Sequence, residues 1–530
     1  MEALLGSWVS NLCASQLTNH NGKHVQAGDL PDPKRPTDEV LVAHALDDAR
    51  ALRDIIMGLA FRFDHVLDCD KILDALARLL EVGGWRRLGG RLRLNKKTGR
   101  IEIHVPKKFT PDRPAVRYSH VTFDMNMDQH PQLRDHFPHP TEGPSMQSGF
   151  QEYLQSDHPQ ISLHVVSFRD ATLVAVKIPH FSTDIIGWHH LLHNWSLVLS
   201  GLEDEVQPFG GFNEDITERI AHLSIPDKPS EKLSSPDIEL AGHKQLTGLG
   251  MFLFVLRFLW AILFGPRVTS RTVFLPAKTM QILREETRRD LETHVQQCSS
   301  SQKITPSDAD MLTAWTAKMT LTSTSREIPN KMSQTASIMT VVDMRKRCPS
   351  IFSPPDDNGQ VPVYIQNLSS VAMTHLPVKA LLSQPLGITA SQIRRSVTPQ
   401  ASEEVISGVV RHVLADVPGR LRTGTTLFAK GTEILFPTSN WTCARLFEFD
   451  LGPAVIGHTG NKPGSSNARP GRPMTIAPVV FSTNPVIRNT WTVTGRDAQG
   501  NYWLQAVSGD ETWAVVGREL ERLKAAVALI

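Results

Sequence analysis

A histidine and an aspartate four residues apart, His180 and Asp184, stand in the segment "KIPHFSTDIIGW" and could support proton transfer. An imidazole titrates near neutral pH, so it can take the proton of a hydroxyl group as that oxygen attacks an acyl carbon. The carboxylate could orient the ring, or it could pin the turn by pairing with a distant arginine. The same spacing also occurs where a histidine merely ends a strand and an aspartate caps a helix. The spacing alone leaves both interpretations open.

The flanking sequence places this pair on a turn between a strand and a helix. "ISLHVVSF" and "TLVAVKI" are typical of two strands joined by a turn, and the second strand ends just before His180. After Gly187, apolar residues recur at helical spacing from Trp188 to Leu199. Loops at strand ends often carry chemistry, so this context favours a functional histidine.

Strands and helices alternate along the rest of the chain, which indicates an α/β or α+β protein. "DCDKILDALARLL" predicts a helix capped by Asp70, and "ITPSDADMLTAW" predicts another capped by Thr305. "SRTVFLP" and "ASIMTVVDMR" are typical of strands, and "GRELERLKAAVALI" predicts a closing helix.

Length and charge narrow the class of protein. A chain of 530 residues is too long for one hydrophobic core, so we expect two domains. Its 56 basic and 54 acidic residues nearly cancel, which argues against a nucleic-acid binder. Five scattered cysteines without a Cys-x-x-Cys pair argue against a disulfide framework and a zinc cage. We therefore predict an intracellular, cytoplasmic protein without a bound metal.

One apolar run departs from this soluble pattern. "LTGLGMFLFVLRFLWAILF" begins at Leu246, ends at Phe264 and is interrupted by Arg257. Its length approaches that of a bilayer crossing, but a central arginine makes insertion costly. Three interpretations stay open: a helix packed on the domains, a helix touching a membrane, and a true span.

The segment that leads into this apolar run indicates where the domains divide. Residues 203–248 are rich in Pro, Ser and acidic side chains, which is typical of a crossover between domains. We predict an N-terminal domain over residues 1–235, a crossover over 236–268 and a C-terminal domain over 269–530.

Several segments together resemble the BAHD-type acyltransferases, in particular their fungal secondary-metabolism branch. They are "WRRLGGRL", "HFSTD", "SDADMLTAW", "VVDMRKRCP" and "SNWTCARLFEFDLGPA", in the family's order. The resemblance implies a chloramphenicol-acetyltransferase-like fold of two domains, each a mixed β-sheet with flanking helices. It also implies an active-site channel between the domains and a monomer that binds acyl-CoA, expected to be acetyl-CoA, and an alcohol such as a terpenoid or polyketide.

The resemblance also implies a role for individual residues. His180 would be the general base in a ternary complex, and Ser439 would lie near the developing oxyanion. Asp184 would be structural and pair with Arg345. The other supporting positions are Gly187, Trp441, Asp450 and Gly452. The chain departs from the family at Ile185, where a glycine usually follows the motif aspartate, and at Pro453 in the late motif.

Alternative functions stay open. A non-catalytic or membrane-docked binding protein of the same fold would keep His180 for structure only. Condensation-type N-acyltransferases share the fold but carry two adjacent histidines, and Pro179 takes the first place here. "HHLLH" puts His189 and His193 on one helix face, yet no third metal ligand is evident. The basic clusters at residues 345–347 and 394–395 could meet CoA phosphates or could be ordinary solvated surface.

Overall fold

A computed structural model describes residues 38–130, 149–223, 239–298, 304–323, 331–352, 360–415, 427–457, 469–482 and 488–529. Within these residues the chain forms two mixed β-sheets, and helices flank each of them. The predicted α/β architecture is confirmed. Among the described helices, none combines the length and the apolarity that a bilayer crossing requires.

The first sheet presents the histidine of the motif. Its five strands lie in the spatial order Thr475–Ser482, Ile55–Phe63, Thr172–Pro179, Ile161–Ser167 and Val116–Thr122. The last two strands are parallel, and the other neighbouring pairs are antiparallel. Every residue of the third and fourth strands is buried, which explains their nearly continuous apolar sequence.

Two helices pack against this sheet. The first is Cys69–Leu79, and the second, Ile185–Leu199, begins a few residues after His180. Apolar side chains of both helices and of the sheet form one core cluster, which includes the fully buried Trp188 and Trp195. The packing of this cluster holds the start of the second helix in place.

The second sheet contains six strands, in the order Val268–Leu275, Tyr502–Gly509, Thr490–Arg496, Ile434–Asn440, Thr335–Asp343 and Ser369–Pro377. The strand that carries Ser439 is parallel to both of its neighbours. The helices packed on this sheet include Ala277–Cys298, Asp308–Ser323, Leu386–Gln400 and Asp510–Ala528.

Smaller elements complete the described fold. A three-stranded sheet consists of Glu39–Val42, Ile101–Val105 and Arg91–Leu94, and two-stranded pairs join Val66–Leu67 to Val455–Gly457 and Glu239–Leu240 to His243–Lys244. The remaining α-helices are Arg50–Arg53, Phe150–Gln155, Ile216–Ala221, Gly248–Phe264, Pro349–Phe352, Val378–Ser383 and Glu403–Ala415. Short 3-10 helices are Gly83–Gly89, Met127–Gln129, Glu203–Glu205, Lys331–Ser333, Thr442–Ala444, Leu446–Glu448 and Gly452–Ala454.

One strand crosses between the two halves of the chain. Thr475–Ser482 comes late in the sequence, yet it pairs along its whole length with Ile55–Phe63 in the first sheet. The division predicted at residues 236–268 assigns this strand to the C-terminal domain, whereas its hydrogen bonds place it in the N-terminal sheet. Residues 236–238 lie outside the described residues. Sheet membership therefore does not follow chain order.

Two predicted helix caps require correction. Asp68, not Asp70, caps the first helix, because the backbone is still extended at Asp68 and its carboxylate accepts from the amide of Lys71 at 3.1 Å. The later helix begins at Asp308 rather than just after Thr305. The Asp310 carboxylate accepts from the amide of Ser307 at 2.7 Å, which satisfies a donor at that end.

Candidate active site

His180 lies at the point where the strand Thr172–Pro179 ends. Its amide donates to the carbonyl of Ile55 at 2.8 Å, so the neighbouring strand still holds its backbone. The amide of Ser182 then donates to the carbonyl of Pro179 at 2.9 Å and closes a turn. The ring of His180 is thereby presented at the end of the first sheet and is partly exposed.

The environment of this ring favours the neutral imidazole. Burial lowers its pKa, and the ring's own backbone carbonyl, Asp184, Asn367 and Asp47 oppose that shift only in part. Among the described residues, Nδ1 is enclosed and has no hydrogen-bond partner. Nε2 is not enclosed in this way, and no described residue bonds to it. A neutral ring with an unengaged nitrogen can accept a proton.

Asp184 is fully occupied with holding the backbone and one arginine. One carboxylate oxygen accepts from the amides of Ile186 and Gly187, at 3.1 and 3.0 Å, and so caps the helix Ile185–Leu199. Two nitrogens of Arg345 donate to the carboxylate at 3.0 and 3.1 Å, and the amide of Leu368 donates at 2.9 Å. With five donors in place, the carboxylate has little capacity left for the His180 ring.

Arg345 joins the two halves of the protein at this turn. Besides Asp184, it donates to the carbonyls of Tyr364 and Gln366 at 2.8 and 2.6 Å and to the Asp343 carboxylate at 3.1 Å. Its side chain is 9% exposed and that of Asp184 is 5% exposed. The pair is a buried, multiply bonded ion pair, and its removal would leave an uncompensated charge. Because the guanidinium is used inside the protein, it is not available to CoA phosphates.

Gly187 permits a close approach between the halves. A Cβ atom at this position would lie 2.0 Å from the Thr183 hydroxyl and 2.3 Å from the carbonyl of Ile365. The Thr183 hydroxyl donates to that same carbonyl at 2.8 Å. A larger residue would push residues 360–368 away from the turn.

A second set of polar residues, which no sequence pattern predicts, holds the backbone of His180. The side-chain amide of Asn367 donates to the carbonyl of His180 and to the Asp47 carboxylate, each at 2.8 Å. The other oxygen of Asp47 lies 3.1 Å from Nδ1 of His44. All three residues are buried, and Asn367 is 320 residues away from Asp47 in the chain. Neither spacing nor composition marks them, so only an alignment of relatives could have singled them out.

Ser439 lies on the strand Ile434–Asn440 of the second sheet and is partly exposed. Its hydroxyl accepts from the indole nitrogen of Trp441 at 2.9 Å, which leaves the hydroxyl proton for another acceptor. Trp441 is 8% exposed and belongs to the core cluster of the first sheet. Among the described residues no hydrogen bond joins Ser439 to His180.

Asp450 and Gly452 lie in a different place. The Asp450 carboxylate accepts from the amide of Gly452 at 2.8 Å and lies 3.3 Å from Arg472. Together with His189 and His193 of the helix Ile185–Leu199, Asp450 and Arg472 line a cleft of about 300 Å³. The two motif residues thus shape a loop, and within the described residues no hydrogen bond joins them to His180.

The described residues contain one group of side chains with the composition of a metal site, and its geometry does not fit one. His243, His375 and Glu433 bring ligand atoms within 4.8 Å of each other, but the two rings stack at 3.7 Å between centroids. Stacked rings direct their lone pairs side by side and not toward a common point. His243, at 3.0 Å, and Ser337, at 2.6 Å, already bond to the Glu433 carboxylate. His189 and His193 gain no third ligand within the described residues.

Comparison with known proteins identifies relatives that match nearly the whole chain. No protein-family profile matches the chain. The O-acetyltransferase PaAT-2 of Phomopsis amygdali is 32% identical over 508 residues, which cover 92% of this chain and 99% of that protein. A protein named transcriptional regulator calD, from Penicillium decumbens, is 30% identical over 513 residues, which cover 92% and 96%. Of the solved structures, F. sporotrichioides TRI101 complexed with coenzyme A and T-2 superposes with a TM-score of 0.62 at 15% identity. That superposition covers 89% of this chain and 96% of TRI101.

Proposed function

We propose that His180 takes the proton of the acceptor hydroxyl in the reaction of this chain, which belongs to the BAHD-type acyltransferases. Within that family it is an acyl-CoA-dependent O-acyltransferase of the fungal secondary-metabolism branch. The observation that carries this proposal is the setting of the ring: it lies at a strand end and has a nitrogen without a hydrogen-bond partner among the described residues, and burial lowers its pKa, which favours the neutral form. The co-substrate is an acyl-CoA, and we propose that it is acetyl-CoA. The acceptor we propose is a hydroxyl group of a terpenoid or a polyketide.

The proposed reaction proceeds in a ternary complex. The imidazole of His180 takes the proton of the acceptor hydroxyl as its oxygen attacks the thioester carbonyl. The carbonyl oxygen becomes an oxyanion, and the Ser439 hydroxyl stabilises it by donating a hydrogen bond. When the carbonyl re-forms, the C–S bond breaks and the CoA thiolate takes the proton back from the imidazolium. The products are the ester and free CoA, and His180 is neutral again.

The engagement of Asp184 separates this mechanism from a catalytic triad. In a triad the carboxylate binds the histidine ring and stabilises the imidazolium. Here the carboxylate is saturated by the backbone and by Arg345. We therefore expect no covalent acyl-enzyme, since no nucleophile in the described part of the chain is hydrogen-bonded to the base.

Replacement of the base tests the proposal directly. His180→Ala should lower acyl-CoA consumption by about 10²–10⁴-fold, because no other group takes the acceptor proton. Release of free CoA thiol, measured with a panel of terpenoid and polyketide alcohols, follows the reaction. His193→Ala, an exposed histidine on the neighbouring helix, is the matched control and should retain full turnover. Equal turnover of wild type and His180→Ala, with equal melting temperatures, would remove His180 from the mechanism.

Two alternatives are distinguished by the same assay. One relative carries the name of a regulator, and a non-catalytic role predicts no CoA release with any acceptor. A condensation-type N-acyltransferase would instead transfer the acyl group to amines in preference to alcohols. Pro179, where that class has its first histidine, continues the strand and pairs with Ile56.

We also propose that the enzyme acts as a cytoplasmic monomer without a permanently bound cofactor. Light scattering during size-exclusion chromatography measures the mass, and two concentrations distinguish a monomer from a weak dimer.

A further inference from the structure

The helix Gly248–Phe264, which we call the outer helix, turns its apolar side chains toward solvent. None of its residues is buried, and apart from Gly248 every exposed residue on it is large and apolar. These residues are 45% to 73% exposed and recur every three or four positions, so they share one helix face. We call this face the outer stripe: Leu249, Phe252, Leu253, Leu256, Trp260, Leu263 and Phe264.

The opposite face of the outer helix rests on the protein. Met251 and Phe254 pack against a core cluster that includes Phe428. Arg257, the one charged residue of the helix, turns inward and donates to the backbone carbonyl of Glu433. Burial lowers the pKa of this arginine, with the Glu433 carboxylate opposing the shift. The outer stripe is thereby left without any charge.

The sequence around the outer helix is basic, although the whole chain has a net charge of only +2. Residues 240–284 contain no aspartate or glutamate and six basic residues: Lys244, Arg257, Arg267, Arg271, Lys278 and Arg284. Arg267, just beyond the C-terminal end of the helix, is exposed. Arg488 is close by and donates to the carbonyl of Pro266 at 2.7 Å. Two of these cations are paired with carboxylates of other segments: Arg271 lies 3.4 Å from Asp510, and Arg284 donates to Asp308 at 2.8 Å.

We propose that the outer stripe docks the protein on the surface of an anionic lipid membrane, with the outer helix lying in the interface plane. An apolar helix face with flanking cations fits such a surface, since the apolar side chains enter the acyl boundary and the cations meet the phosphates. Patches of contiguous exposed apolar residues of this kind mark interaction sites. The inward contacts of Met251, Phe254 and Arg257 hold the helix on the protein and leave only one face for lipid.

This inference does not depend on the role of His180, because binding to vesicles is measured without any turnover. If the proposed function also holds, membrane docking brings the site to the phase in which apolar terpenoid and polyketide alcohols partition. Failure of one proposal therefore leaves the other testable.

Vesicle flotation of the full-length protein tests the docking. Wild type should float with phosphatidylcholine vesicles that contain phosphatidylserine, float less with pure phosphatidylcholine, and be partly released by high salt. The triple variant Leu253→Ser, Leu256→Ser, Trp260→Ser should lower the bound fraction about tenfold or more, because each change removes apolar area from the interface. The control variant Met332→Ser, Val341→Ser, Val361→Ser alters residues of similar exposure elsewhere and should bind as wild type does.

Several outcomes would overturn the proposal. One is wild type that does not float with either vesicle, a comparison that needs no variant. Another is a triple variant that floats as well as wild type. A third is a wild-type dimer that the triple variant dissociates without any vesicle binding, since the stripe would then cover a second copy of this chain. Melting curves of all proteins identify a variant that has failed to fold.

Discussion

The turn at residues 180–187 and the outer helix differ in what holds them. At the turn, the carboxylate of Asp184 accepts five hydrogen bonds, a buried arginine reaches across from the other half, and a glycine permits a contact that no Cβ would. The outer helix has no buried residue, and within the described residues its side chains make one hydrogen bond to the rest of the protein, from Arg257 to the carbonyl of Glu433. Several polar contacts therefore fix the position of the His180 ring. The apolar face of the outer helix, in contrast, is exposed in the described structure and is free to bind a partner outside the fold.

The largest effect on stability is expected from breaking the ion pair of the turn. Arg345→Met leaves the Asp184 carboxylate buried without its cation, which should cost about 3–5 kcal/mol in the free energy of unfolding. Denaturant titration measures the loss, and activity should fall with it because the halves separate at the site. Arg288→Met is the control, since Arg288 lies in an exposed cluster with Glu285 and Glu292 and should change the melting temperature little. Equal losses for both variants would show that burial of the pair does not matter.

A smaller effect is expected from the backbone support of His180. Asn367→Ala removes the donor to the His180 carbonyl and to Asp47, which should cost about 1–3 kcal/mol and lower kcat more than it raises KM for acyl-CoA. Asn95→Ala removes a comparable amide bond to Glu102, in a hairpin turn away from the site. This control should leave kcat unchanged. If kcat is the same in both variants, Asn367 supports the fold and not the position of the base.

The pH dependence of turnover is a more subtle test of the same region. Burial lowers the pKa of His180, so the ring stays neutral, and active as a base, to lower pH than an ordinary histidine. The acidic limb of kcat/KM should therefore lie below about pH 6.5, the usual value for this side chain. Values of kcat/KM measured in overlapping buffers locate the pH at which activity falls on the acidic side. A fall above about pH 6.5 would mean that the ring is protonated more easily than its burial implies.

The smallest effect is expected on the outer helix. Leu256→Ala changes a residue that faces solvent, so the free energy of unfolding should stay within about 0.5 kcal/mol of wild type. Leu191→Ala, in the buried face of the helix Ile185–Leu199, should cost about 2–5 kcal/mol. A large loss at Leu256 would mean that the outer stripe packs within the fold, and the contrast between the two regions would disappear.

Local elements were predictable from the sequence because their signals are local. The strand predicted before His180 is observed as Thr172–Pro179, and the helix after Gly187 ends at Leu199 as its apolar spacing indicates. The closing helix starts at Asp510, several residues before the predicted segment, and its buried face already begins with Trp513 and Val516, at the same helical spacing that continues to Leu523. The motif pair Asp184 and Arg345 was named from the family resemblance, and the structure contains this ion pair.

Long-range partners were not predictable in this way. Asn367 and Asp47 meet at the carbonyl of His180 although 320 residues separate them in the chain. Nothing in the sequence of either segment marks that meeting. The strand Thr475–Ser482 was likewise missed, because pairing with a strand more than four hundred residues earlier leaves no local trace. The catalytic roles of His180 and Ser439 remain predictions.

The late strand Thr475–Ser482 completes a sheet whose other strands come early in the chain, and this has a consequence for synthesis of the protein. While the chain leaves the ribosome, the strand Ile55–Phe63 waits with one edge open until residue 482 has been made. An unpaired edge can pair with another nascent chain, so this protein should need a chaperone until residue 482 has been made. A gene truncated after the first sheet's other four strands should consequently yield aggregates rather than a soluble half-enzyme.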